Sequence, residues 1–134
     1  MTGWILDKSA VVRAADPIVA RQLDELAGDL VLCPIGLLEQ LYSARSARDY
    51  DRTSEQLQSA FEVVDVPPNL LSLALELQGD LARHHGMWHR VPIPDLLTAV
   101  TALHHDLGVV HVDRDYDRIA EVRPLRHRRL RTRR

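Results

Sequence analysis

Three short apolar runs, Trp4-Ile5-Leu6, Leu30-Val31-Leu32 and Val109-Val110-His111-Val112, punctuate the chain, and helical periodicity fills the intervals between them. A brief apolar run without alternation marks a strand buried on both faces, the kind found in parallel sheets. Parallel neighbours need a long crossover, and a helix supplies it. The order therefore predicts an α/β domain with a mainly parallel sheet flanked by helices. No linker long enough to divide the 134 residues is visible.

Helices are expected at 9–15, at 17–27 with Asp16 as cap and Pro17 at the first position, and at 34–42 with Ile35, Leu38, Leu41 and Tyr42 facing inward. Others are expected at 49–61 and 70–85, the latter on the face Leu70, Leu73, Ala74, Leu77 and Leu81. A further helix carries Asp95 at its mouth and Leu96, Val100, Leu103 and Leu107 on one face, and Gly108 is expected to stop it. Asp115 to Val122 reads as a short helix, and Pro124-Leu125 as a last edge strand. The chain thus divides into a domain over 1–122 and an arginine-rich C-terminal tail over 123–134.

The net charge of −2 hides an uneven distribution. Residues 123–134 hold seven arginines and no acid, which leaves 10 basic against 19 acidic side chains in the body, a net of −9. Such a chain suits a cation at one site and a polyanion elsewhere, although a solvated tail serves equally well as a solubility device. No apolar run approaches the length of a membrane span, and charges interrupt the N-terminal stretch where a signal peptide needs its apolar core, so a cytoplasmic location is expected. Cys33 is the single cysteine and follows an apolar run, the setting of a small buried residue.

Asp7 and Asp113 directly follow strands, and Glu39 and Asp95 lie in the first turns of helices. In open parallel sheets all these positions meet at the edge formed by the carboxyl ends of the strands, where ligands bind. Two carboxylates about 4 Å apart repel by roughly 4 kcal/mol at an effective dielectric of about 20. A cluster of them either takes up protons or holds a hard divalent cation, Mg²⁺ or Mn²⁺. The chemistry such a site supports is hydrolysis of a phosphodiester. Any one of these acids alone is an ordinary cap or turn residue; the case rests on the set.

The matching pieces are Ile5-Leu6-Asp7-Lys8-Ser9-Ala10, Glu39 within Leu38-Glu39-Gln40-Leu41-Tyr42-Ser43-Ala44-Arg45, Ile93-Pro94-Asp95-Leu96-Leu97-Thr98-Ala99, and Val112-Asp113-Arg114-Asp115-Tyr116-Asp117-Arg118-Ile119. In this order the chain resembles the PIN-domain nucleases, specifically the endoribonuclease toxins of the VapBC toxin–antitoxin type. The resemblance implies a single three-layer PIN-like domain and a metal-dependent RNase acting on tRNA or rRNA. It further implies a homodimer and a VapB-type antitoxin that blocks the acidic pocket. Asp7, Glu39, Asp95 and Asp113 then form the catalytic site, with the metal on Asp7, Asp95 and Asp113. Ser9 supports Asp7 or the metal-bound water, and Asp115 is an accessory acid that competes with Asp113 for the fourth place. Lys8 stands where many members carry Thr, and can pair with an acid or hold a substrate phosphate. His111 stands where a strand-end Thr is frequent. Lys8, Arg114, Arg128 and Arg129 are the candidate RNA contacts.

Competing readings are a non-catalytic RNA- or partner-binding module and a phosphoacceptor receiver domain; against the latter, no acid pair follows the first strand and no Lys follows the last. His84, His85 and His89, like His104 and His105, match no standard zinc spacing. Neither a glycine-rich phosphate loop nor a Gly-x-Ser-x-Gly elbow is present. Trp88 is read as packing on its own domain, with base stacking as the alternative.

Overall fold

The computed structural model describes residues 3–84 and 86–133. His85, assigned above to the end of a helix and to a histidine group, lies outside the described residues, as does Arg134 of the tail. The elements run β1 (Trp4–Leu6), α1 (Lys8–Val11), α2 (Pro17–Leu26), β2 (Leu30–Val31), α3 (Pro34–Tyr42), α4 (Ala47–Ala60), α5 (Leu70–Arg83), α6 (Ile93–His104), β3 (Gly108–His111), α7 (Asp115–Ile119) and β4 (His127–Arg129). The sheet order is β2-β1-β3-β4 and every pairing is parallel, with Ile5 opposite Val31 on one side and Val109 on the other. Leu32 adds an isolated parallel bridge to Val63, which is the role of the β-branched run after α4.

Alternation along the strands builds two cores. Ile5 and Val109 face a cluster with Leu77 and Leu81 of α5, Leu96 and Ala99 of α6, and Tyr116 of α7. Leu6 and Val110 face the opposite layer, with Ala10 of α1, Val19 and Leu26 of α2, and Leu30. The result is three layers, helix on sheet on helix, as the strand–helix order predicts. Local signals set several boundaries. Asp16 accepts the Ile18 amide at 2.9 Å with Pro17 in the first turn, and Ser46 accepts the Asp49 amide at 3.0 Å to start α4. Among the described residues, no helix is long and apolar enough to cross a membrane.

Four readings are corrected. Gly108 does not stop α6. Asp106 does, at φ 54°, and the Leu107 amide closes the turn on the Ala102 carbonyl at 2.8 Å. Gly108 instead opens β3, where a Cβ would come within 2.6 Å of the Trp4 ring. In α3, Ile35 and Leu41 are buried as expected, but Leu38 is 67% and Tyr42 89% exposed, because they form a separate stripe one turn apart. The helices first read as 9–15 and 115–122 are shorter, ending at Val11 and Ile119.

The C-terminal tail also differs from expectation. The edge strand lies at His127–Arg129 rather than Pro124-Leu125, so the arginine segment is part of the sheet. Leu125 and Leu130 are buried on either side of it. Gln22 of α2, itself buried, donates to the Arg131 carbonyl at 2.8 Å and accepts its amide at 3.1 Å. The Arg133 amide reaches Asp16 at 2.7 Å. The chain beyond β4 is therefore held on α2 through Arg131 and Arg133.

Candidate active site

A cleft of about 250 Å³ opens at the carboxyl ends of the strands, lined by Asp7, Lys8, Ser9, Val12, Glu39, Pro92, Asp95 and Asp113. All four acids singled out from the sequence thus share one cavity. Asp7 leaves β1 and caps α1. Its Oδ2 accepts the Ser9 amide at 3.0 Å and the Ser9 hydroxyl at 2.7 Å, and its Oδ1 accepts the Tyr116 hydroxyl at 2.7 Å. Ser9 Oγ in turn accepts the Val112 amide at 2.9 Å, which ties α1 to the residue that follows β3. Ser9 is therefore a support for Asp7.

Asp95 sits in the first turn of α6 and is buried, and among the described residues its Oδ2 has no hydrogen-bond donor. Burial, reinforced by the charges of Asp7, Asp113 and Asp115, pushes its carboxyl up to about 9. Asp113 follows β3 and accepts the Asp115 amide at 3.0 Å. Against its partial burial, that amide and the Asp115 carboxyl hold Asp113 below the usual carboxylate range, while burial and Asp113 push Asp115 up. Glu39 is raised by partial burial and then by Asp7, with Lys8 opposing.

Carboxylate oxygens of Asp95, Asp113 and Asp115 lie within 4.8 Å of one another. Three carboxylates at that spacing, one of them buried with an oxygen that no donor among the described residues reaches, fit a hard divalent cation. Asp113 and Asp115 both join this group, and of the two Asp113 lines the cleft. Asp7 lies across the same cleft with each oxygen already accepting from the protein.

Two residues of the site carried no sequence signal that assigned them a role. Tyr116 is fully buried, and burial and then Asp7 raise its hydroxyl well above the ordinary tyrosine range, so it remains a donor to Asp7. His111 is fully buried at the end of β3, and its Nδ1 accepts the Asp113 amide at 3.0 Å. Burial, and next the nearby His127, lower it to about 4, so it is neutral.

The basic candidates separate. Lys8 lines the cleft and Arg114 is exposed beside Asp113. Arg128 faces Glu25 at 3.8 Å and Arg129 pairs with Asp117 at 3.2 Å, so both side chains already have acidic partners. His84, His89, His104 and His105 join neither cluster of metal-ligating groups found among the described residues. Trp88 packs against the core, with the Arg118 guanidinium 5.6 Å from its ring, as the packing reading expects. Cys33 is buried, and burial raises its thiol.

An acidic cleft at the carboxyl edge of a β2-β1-β3-β4 parallel sheet defines the class: residues 4–122 match the PIN domain, and the chain belongs to the PIN-domain family. Its relatives narrow this further. It is 54% identical over 127 residues to Ribonuclease VapC17 of Mycobacterium tuberculosis, covering 92% of each chain. It is 39% identical over 123 residues to Ribonuclease VapC21 of the same organism, covering 90% of this chain and 88% of that one. Among solved structures it superposes on the DNA-bound VapBC of Salmonella typhimurium with TM-score 0.75 at 21% identity, covering 96% and 98% of the two chains. For VapBC-5 of Mycobacterium tuberculosis the TM-score is 0.68 at 22% identity, covering 97% and 100%. At those identities the structures speak for the fold alone.

Proposed function

We propose that this chain is a metal-dependent endoribonuclease of the VapC type, the toxin of a toxin–antitoxin pair, with its catalytic site at Asp7, Glu39, Asp95 and Asp113. The observation that carries the reading is the convergence of these four acids in one cleft, beside a three-carboxylate cluster with an orphaned buried oxygen. Mg²⁺ or Mn²⁺ is the cation such oxygens would select, and Asp95, Asp113 and Asp115, with Asp7 in the same cleft, are the residues that would hold it. When bound, it lowers the pKa of water and stabilises charge on phosphate oxygens.

The chain's own residues do the rest. Ser9 and Tyr116 hold Asp7 by both oxygens, so its orientation is fixed before substrate arrives. Glu39, which lines the cleft and whose carboxyl is raised by burial and by Asp7, is the group suited to move a proton there. Lys8, in the cleft, and the exposed Arg114 next to Asp113 offer cations to the RNA phosphates. Arg128 and Arg129 contribute to that track only by exchanging their Glu25 and Asp117 partners for phosphate.

The partners follow from the same surface. A VapB-type antitoxin would cover the cleft with a basic segment matched to its acids. The exposed stripe of Leu38 and Tyr42, with Leu71, Leu75 and Ile93 on neighbouring helices, supports a homodimer; a single-chain mass by light scattering at micromolar concentration would remove that part of the reading. The test of the whole is to sequence the 5′ ends of cellular RNA after expression without a partner. New ends in tRNA or rRNA should appear with the wild type and be absent with Asp7→Asn. The same ends with both proteins would refute the assignment.

A further inference from the structure

We infer that His111 and His127 form a directional hydrogen-bond relay that positions Asp113, tying the C-terminal strand to the acidic cleft. The activity readout of this proposal rests on the ribonuclease reading above; its spectroscopic readout does not.

The direction follows from counting protons. Nδ1 of His111 accepts the Asp113 amide, so that nitrogen carries no hydrogen. A neutral imidazole has one ring proton, which must then sit on Nε2. Nε2 lies 3.0 Å from Nδ1 of His127, and the two rings stack with centroids 5.2 Å apart. Nε2–H therefore donates and His127 Nδ1 accepts, which leaves the His127 proton on its own Nε2. A His127 Nδ1–H donated to His111 Nε2 would strip both nitrogens of His111 of hydrogen, and one turned to Asp117, 3.5 Å away, would leave two N–H groups facing each other across 3.0 Å.

The relay reaches the acids by two routes. It fixes the amide of Asp113, whose carboxylate orders Asp115. The His111 ring also packs 4.7 Å from the ring of Tyr116, the residue that holds Asp7. From the other end, β4 is pinned by the Leu130 amide on the His111 carbonyl at 2.8 Å. His127 is thus a positioning residue supplied by the arginine-rich segment.

His111, Asp117 and His127 also lie within 4.8 Å of one another, a spacing that suits a metal. The hydrogen bonding argues otherwise. A ligating histidine turns one lone pair to the ion and donates its other N–H to an acceptor. Here the second nitrogen of His111 receives an amide proton, the reverse polarity, and Asp117 is engaged by Arg129 at 3.2 Å.

Long-range ¹⁵N–¹H correlation on the full chain reads the tautomers directly, and should show His111 protonated at Nε2 and bare at Nδ1. His127→Leu removes the acceptor, whereas His127→Asn keeps an oxygen near the Nδ1 position. In His127→Leu, kcat and Mn²⁺ affinity should fall by about tenfold with KM for RNA unchanged, and His127→Asn should restore both. A proton on His111 Nδ1 would overturn the relay. So would unchanged kcat and Mn²⁺ affinity in a folded His127→Leu, or stoichiometric Zn²⁺ binding that needs both histidines. If His127→Leu does not fold, the wild-type tautomer decides. Absence of RNA cleavage by the wild type would strike the ribonuclease reading alone; the Nε2–H tautomer with weakened Mn²⁺ binding would still support the relay.

Discussion

Asp95→Asn should melt higher than the wild type in EDTA at pH 8, and cut no RNA. The sign follows from the raised carboxyl of Asp95. Its pKa is about 9 in the folded chain against 3.8 as a free group, so folding favours the protonated form. Below pH about 4 both states are protonated and no penalty exists. As pH rises from there toward about 9, the unfolded chain ionises freely and the metal-free fold loses stability. Asn carries no charge to bury and offers an amide to its acidic neighbours. A gain of about 1–2 kcal/mol, or roughly 3–8 °C in midpoint, is expected. Saturating Mg²⁺ should reverse the order, because only the wild type then gains binding energy. Activity should fall by more than the roughly 10–100-fold that changes outside a metal's own ligands cost. A variant that melts lower than the wild type in EDTA at pH 8 would contradict the electrostatic account.

The second large effect belongs to Tyr116. Tyr116→Ala empties a fully buried site between the sheet and α6, and should cost about 3–5 kcal/mol in urea denaturation. Tyr116→Phe keeps the ring and removes only the hydrogen bond to Asp7. It should cost about 1–3 kcal/mol and lower cleavage about tenfold, since Asp7 loses one of the two groups that orient it. Full activity in Tyr116→Phe would show that the phenol is only packing.

These two residues also mark where the sequence stops being legible. Asp95 is visible because the first turn of its apolar helix opens at the same sheet edge as Asp7, Glu39 and Asp113, and the set marks what one acid alone does not. Tyr116 is invisible because an aromatic on a five-residue helix is ordinary filling until its hydroxyl is seen to point at Asp7. The three apolar strands announce themselves by being dry on both faces. β4 does not, since His127-Arg128-Arg129 has no apolar pattern. Its conformation is imposed by pairing with β3, by burial of Leu125 and Leu130 beside it, and by Gln22 clasping Arg131. Leu38 and Tyr42 mislead for another reason: periodicity reports that a stripe is apolar, not which chain covers it. The end of α6 turns on Asp106 adopting a left-handed backbone, a conformation open to aspartate but more readily expected of the glycine two residues later.

The central claim is that carboxylates from distant segments form one cation site. Crystals soaked in Mn²⁺ and measured at a wavelength sensitive to manganese test it most directly. A single strong anomalous peak should lie among the carboxylates of Asp95, Asp113 and Asp115, on the Asp7 side of the cleft, and should vanish in Asp95→Asn. No peak there at millimolar Mn²⁺, or a peak confined to His111 and His127, would contradict it.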